Sequence, residues 1–133
     1  MRALKLFTAL VLLTAITMTG CKSKSPKELI VGKWQVTAVS DDGADADRKM
    51  SDAEKKEMIE KTWIEFTGDG KCSVSAHEGV QTGTYSLSAD GKSLSMKQDG
   101  EDRTDIMQVN DLADSKLVLT EERSKMKLTF KRK

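Results

Sequence analysis

One histidine, His77, stands in the whole chain, with no second histidine or cysteine at ligand spacing beside it. A zinc site needs a convergent set of His, Cys or carboxylate donors. No metal and no cofactor is therefore expected, and His77, at a strand end beside a turn, reads as a surface residue. No Gly-rich loop opens a helix, which removes the usual phosphate cradle. No serine has a base plausibly paired with it, so nucleophilic catalysis lacks its activator. Most carboxylates fall in turns (Asp69, Asp90, Asp99) or on a helix, where turn chemistry and solvation account for them. The chain is not expected to be an enzyme. An excess of charge of one sign is missing as well, since 22 Lys and Arg meet 21 Asp and Glu. That balance argues against a nucleic-acid partner, which requires a basic face.

Long apolar runs are scarce too. The only one, Leu6 to Ile16, is interrupted by Thr8 and Thr14 and is too short to span a bilayer with conviction. Arg2 and Lys5 precede it and small residues follow, the layout of a secretory signal over residues 1–20. Its ending, Met18-Thr19-Gly20-Cys21, resembles the lipobox of bacterial lipoproteins, with Met18 and Thr19 in place of the usual Leu and Ala or Ser. The resemblance implies cleavage before Cys21 and a lipidated cysteine, whose several acyl chains hold a membrane more firmly than one would. Removal of Arg2 and Lys5 leaves a mature charge near −1. Cys72 then has no disulfide partner within the chain. It shares the parity of Val74 and Ala76 and reads as a buried, inert thiol. Lys22 after the cysteine lacks the aspartate that resembles an inner-membrane retention signal, which implies the outer membrane. The acidic run associated with surface display is also missing. The periplasm-facing leaflet is expected, with the cell surface as the alternative.

Residues 21–28, with the only proline, Pro26, read as a flexible tether, and residues 29–133 as one domain. The stretch Ile30 to Ser40 alternates, with Gly32, Trp34, Val36 and Ala38 on one face and Lys33, Gln35 and Thr37 on the other. An acidic loop follows. Ser51-Asp52-Ala53-Glu54 is a capping-box pattern that predicts one short helix from Asp52 to Lys61, with Glu57 and Lys61 as an i,i+4 pair. From Thr62 the period is two. Strands are expected over Trp63 to Phe66, Lys71 to His77, Val80 to Ser88, Lys92 to Gln98, Arg103 to Asn110, Lys116 to Thr120 and Lys125 to Lys131. Asp90-Gly91 is a hairpin signal. Ile106 and Val109 fall on opposite parities, and a bulge between them would bring both to one face. Short connections imply sequential antiparallel pairing, and eight strands suffice to close. The expectation is an all-β, up-and-down, eight-stranded barrel or a nearly closed curved sheet, with the helix between its first two strands.

Gly32-Lys33-Trp34 on the first strand resembles the Gly-x-Trp signature of lipocalins. Trp63-Ile64-Glu65-Phe66, Gly83-Thr84-Tyr85-Ser86-Leu87, Asp90-Gly91-Lys92-Ser93-Leu94, Leu117-Val118-Leu119 and a Lys-rich last strand resemble small lipocalin-like lipoproteins of Gram-negative bacteria. In lipocalins a basic residue near the chain end packs on the tryptophan, and here Lys131 and Arg132 are the candidates. The resemblance also implies a cavity for a small hydrophobic ligand, with Trp34, Trp63, Phe66, Tyr85 and Met96 as its contacts. Yet an eight-stranded barrel is only just wide enough for its own side chains. The inward parity includes many large residues, among them Met126, Leu128 and Phe130. A filled interior is thus the competing expectation, and with it a scaffold that presents its surface to an envelope protein. Lys125, Lys127 and Lys131, and the Ser-rich Lys92 to Lys97 segment, would be the faces to test.

Overall fold

The alternation after Gly32 produces β1 (Gly32–Ser40), the strand on which the barrel closes. In this computed structural model the described residues are 24–76 and 78–133. The leader, Cys21 and His77 lie outside them. After β1 come a single 3₁₀ turn at Ala46–Arg48, helix α2 (Asp52–Lys61), and strands β2 (Trp63–Phe66), β3 (Lys71–Ala76), β4 (Gly79–Leu87), β5 (Ser93–Gln98), β6 (Thr104–Leu112), β7 (Lys116–Glu121) and β8 (Lys127–Arg132). Each strand pairs antiparallel with the next, and β8 returns to β1, so no edge is left open. Among the described residues no helix is long and apolar enough to cross a membrane.

Helix α2 forms where its cap predicts. Ser51 Oγ accepts from the Glu54 amide, and Glu54 Oε2 accepts from the Ser51 amide at 2.7 Å. The first helix, α1 (Pro26–Ile30), corrects the flexible tether: Ser25 caps it, Pro26 supplies a preset φ at its first position, and the strand begins at Gly32 instead of Ile30. Two bulges correct the parity. In β1, Val36 faces Phe130 while Ala38 faces Thr129, so Thr37 is the extra residue. Ala38 turns outward and Val39 turns toward the core in its place. In β6 the bulge lies between Val109 and Asp111, beyond the pair it was expected to reconcile. Met107 and Val109 therefore share the inner face, Leu112 joins them opposite Leu117, and Ile106 faces out. The last strand starts at Lys127 because Lys125 adopts a left-handed φ of 59° in the β7–β8 turn, which takes Met126 out of the strand.

Antiparallel order sorts the connections to two ends. The chain's entry through α1, the β2–β3, β4–β5 and β6–β7 turns and the C-terminus share one end. The α2 insertion and the remaining turns share the other, which we call the mouth. Toward the first end the barrel is solid, with Trp34, Phe66, Leu94, Leu117 and Phe130 fully buried and Ile30 of α1 set against them as a plug.

Candidate functional site

Closure at the plugged end rests on one arginine. Along β8 the apolar inward positions are Leu128 and Phe130, and the same alternation makes Arg132 the next inward residue. Its guanidinium lies over the Trp34 ring, 4.3 Å from the centroid. It donates to the carbonyls of Val31 (2.7 Å), Leu29 and Asp114. Trp34 Nε1 donates to Ile30 O at 2.8 Å. Three carbonyls at the end of α1, which no further helical turn satisfies, are thus all taken by side chains. Gly32 is needed here twice. Its φ of +134° suits glycine, and a Cβ would collide with the Arg132 guanidinium. Of the two basic candidates, Arg132 makes the contact, and Lys131 is exposed on the outer face.

The mouth half of the barrel is not solid. It holds a half-open cavity of about 230 Å³, so the filled interior holds only for the plugged half. Ile64, Cys72, Val74, Met96, Met107 and Leu128 provide its apolar walls, and Thr62, Gln81, Gln98 and Asp105 its polar positions. The register explains the set. Val74 pairs with Gln81, Cys72 with Gly83, Gly83 with Gln98, and Met96 with Asp105, all on the inner parity. At Gly83 a Cβ would run into the Lys97 carbonyl, so the absence of a side chain lets β4 and β5 approach.

Burial raises the Cys72 thiol pKa first, with the Asp99 carboxylate adding to it, so the wall of the cavity carries a neutral, weakly nucleophilic sulfur. Asp99 itself accepts from Thr82 Oγ1 at 2.8 Å. Asp105 Oδ1 is shielded from water. Arg103 Nε stands 3.1 Å from it, but the approach is not aligned as a hydrogen bond, and the oxygen accepts none among the described residues.

The sequence-derived contacts are spread over the molecule. Met96 lines the cavity. Trp34 belongs to the plug. Phe66 is fully buried and meets the Tyr85 ring edge-on at 4.9 Å, and Tyr85 donates its hydroxyl to Thr67 O at 2.6 Å. Tyr85 borders a different hollow, with Lys27, Glu28 and Gly68, at the plugged end. Trp63 points outward from β2, with Lys33 Nζ 4.0 Å from its ring centre. Met107 and Asp105 were not singled out. Inward alternation backward from Val109 reaches both, but Ile106 on the opposite parity leaves the inner face of this strand undecided in the sequence. No group of three or more potential metal-binding side chains occurs among the described residues.

The mouth is flanked by the 41–61 insertion, held by a second buried polar group. Asp41 is only 4% exposed. Its carboxylate accepts from the Met50 amide at 2.7 Å and from Lys55 Nζ at 2.8 Å. The Lys55 bond and then the Met50 bond hold its pKa below the usual aspartate value. At the other end of α2, Gln35 Nε2 donates to Ile59 O and Thr62 O, both at 2.9 Å.

Three solved structures share this barrel. A lipocalin-like protein from Bacteroides uniformis is 20% identical, with a TM-score of 0.56 over 78% of this chain and 98% of its own. An uncharacterized protein from Bacteroides eggerthii is 17% identical, with a TM-score of 0.55 over 78% and 99%. A DUF4847 family protein from Bacteroides vulgatus is 16% identical, with a TM-score of 0.54 over 79% and 94%. At these identities the likeness is one of fold. No curated protein matches the chain. The family model of the lipocalin-like domain matches residues 30–119, from the plug residue Ile30 through Leu119 of β7, and the chain belongs to the lipocalin-like domain family.

Proposed function

We propose that this protein is a membrane-anchored, non-catalytic binding protein that takes a small apolar ligand into the mouth half of its barrel. The observation that carries the reading is the cavity of about 230 Å³ walled by Ile64, Val74, Met96, Met107 and Leu128. Apolar walls with a few polar positions are the usual make-up of a small-molecule site. Two methionines add adaptable lining. Anchoring through Cys21 and an outer-membrane, periplasm-facing location complete the reading, on the strength of the leader and the residues after it.

Neither tryptophan lines the cavity, so indole fluorescence is a poor reporter. Methionine methyl NMR is a direct one. Titration with hexanol should shift the Met96 and Met107 methyl signals and leave Met50, at the outer edge of the insertion, in place. Unmoved Met96 and Met107 signals would sink the reading. One observation favours a second reading, an envelope scaffold that presents its outer surface to a protein: the cavity is smaller than the roughly 300–1,000 Å³ of most ligand sites. A cavity silent toward every apolar probe is what that reading expects.

A further inference from the structure

The cavity is open above and closed below, and the strand ladder shows where it stops. Cys72, Met96, Met107 and Leu128 are among its walls. Directly opposite them on the neighbouring strands stand Phe66, Tyr85, Leu94 and Leu119, which are not. Barrel strands are tilted, so partners level in the ladder lie at different depths along the axis. The four opposing residues therefore form a floor. Phe66, Leu94 and Leu119 are fully buried. The Phe66 and Tyr85 rings meet edge-on at 4.9 Å, and the Tyr85 hydroxyl is tied to Thr67 O. Beneath them Trp34, Phe130 and Ile30 fill the plugged half. The polar positions Thr62, Gln81, Gln98 and Asp105 stand at the mouth ends of their strands. Charges of both signs line the cavity, Lys97 and the Asp105 that pairs with Arg103, so no excess of one sign selects a head group.

We infer that this floor is a length gauge: the site takes a single apolar chain of up to about nine carbons, its far end against Phe66 and Leu94 and its polar end at the mouth. This rests on the cavity being the binding site. An apolar cavity of about 150 Å³ holds the six carbons of benzene, and on that scale about 230 Å³ holds about nine. The floor does not give way to a longer chain. Close-packed interiors resist even one extra methylene, because their side chains would have to leave their preferred rotamers. Each methylene that passes from water into the cavity should tighten binding about fourfold. A carbon beyond the gauge stays at the mouth, in water, and adds little. Long acyl chains and large polycyclic ligands exceed the space.

Straight-chain primary alcohols from butanol to dodecanol share one neutral head and differ only in length. Followed by the Met96 and Met107 methyl shifts, affinity should rise about fourfold per carbon and level off near about nine carbons. Leu94→Ala lowers the floor and should move the break to alcohols longer by about three carbons, the number removed. Cys72→Leu fills the cavity from its wall and should move the break to shorter alcohols by about two carbons. The variants act in opposite directions, so either one alone tests the gauge. The indole N–H signal of Trp34, which donates to Ile30 O, certifies the fold of each. Affinity that climbs to dodecanol without a break overturns the gauge, as does a break that no folded variant moves. Both of those results leave the cavity reading intact. No methyl shift with any alcohol overturns the gauge and the binding function together.

Discussion

Arg132 shows how much of the plugged end hangs on one side chain. Its guanidinium faces the Trp34 ring and closes the α1 carbonyls of Leu29 and Val31. Arg132→Met keeps length and apolar bulk but removes the cation–π contact and those hydrogen bonds. A loss of about 2–3 kcal/mol is expected, read as a lower urea midpoint at unchanged slope. Arg132→Lys should recover only part of it, because an ammonium cannot fork to several carbonyls while lying flat on a ring. Gly32→Ala should reproduce most of the loss by pushing the guanidinium away. A midpoint unchanged in Arg132→Met would show that α1 closes the barrel by apolar packing alone. Much of this was legible. Gly32 and Trp34 stand two apart in the first strand, and the Leu128, Phe130 alternation, carried one step on, selects Arg132 over Lys131. Hidden in the sequence was the partner of Trp34 Nε1, because the carbonyl of Ile30 is offered only once α1 has formed.

Among the elements, the insertion between β1 and β2 depends on Asp41. Its folded pKa is depressed, so the stability it contributes is present above the ordinary aspartate value of about 3.9 and is lost as pH falls through the folded value. The Lys55 partner is raised above its own usual value chiefly by the same bond, and it stays protonated throughout acid and neutral pH. Amides of α2 should therefore exchange faster relative to those of β7 at pH 3 than at pH 6, after correction for intrinsic rates. Asp41→Asn should show that acceleration already at pH 6. Protection of α2 that tracks β7 at both pH values would contradict the latch. The acidic stretch 41–47 read as a solvated loop because nothing in its composition marks which carboxylate is buried. Strand existence was legible from alternation, and α2 from its capping box. The bulges at Thr37 and after Val109 were not, since an extra residue in a ladder carries no residue-type signature. A one-residue shift moves every later side chain across the sheet, which is why Ala38 lies on the outer face and Val39 on the inner one.

For the whole molecule, pairing of β8 with β1 closes the barrel within residues 32–132. Cys21→Ala should consequently leave thermal unfolding of the barrel unchanged while abolishing acylation and releasing the protein from the membrane fraction. A Cys21→Ala protein that still sediments with membranes after a high-salt wash would contradict the anchor. The polarity of the barrel then takes on a mechanical meaning. The chain enters through α1 at the plugged end, opposite the cavity. From Cys21 to Ser25 a fully extended chain reaches roughly 14 Å at most. On the anchor proposed above, an acylated Cys21 on so short a leash would hold the barrel as a cup is held by its base, its rim turned to the water. The proposed ligand would then arrive from the aqueous compartment or from a donor that meets the rim, and lateral sliding out of the underlying lipid would require the cup to be tipped over.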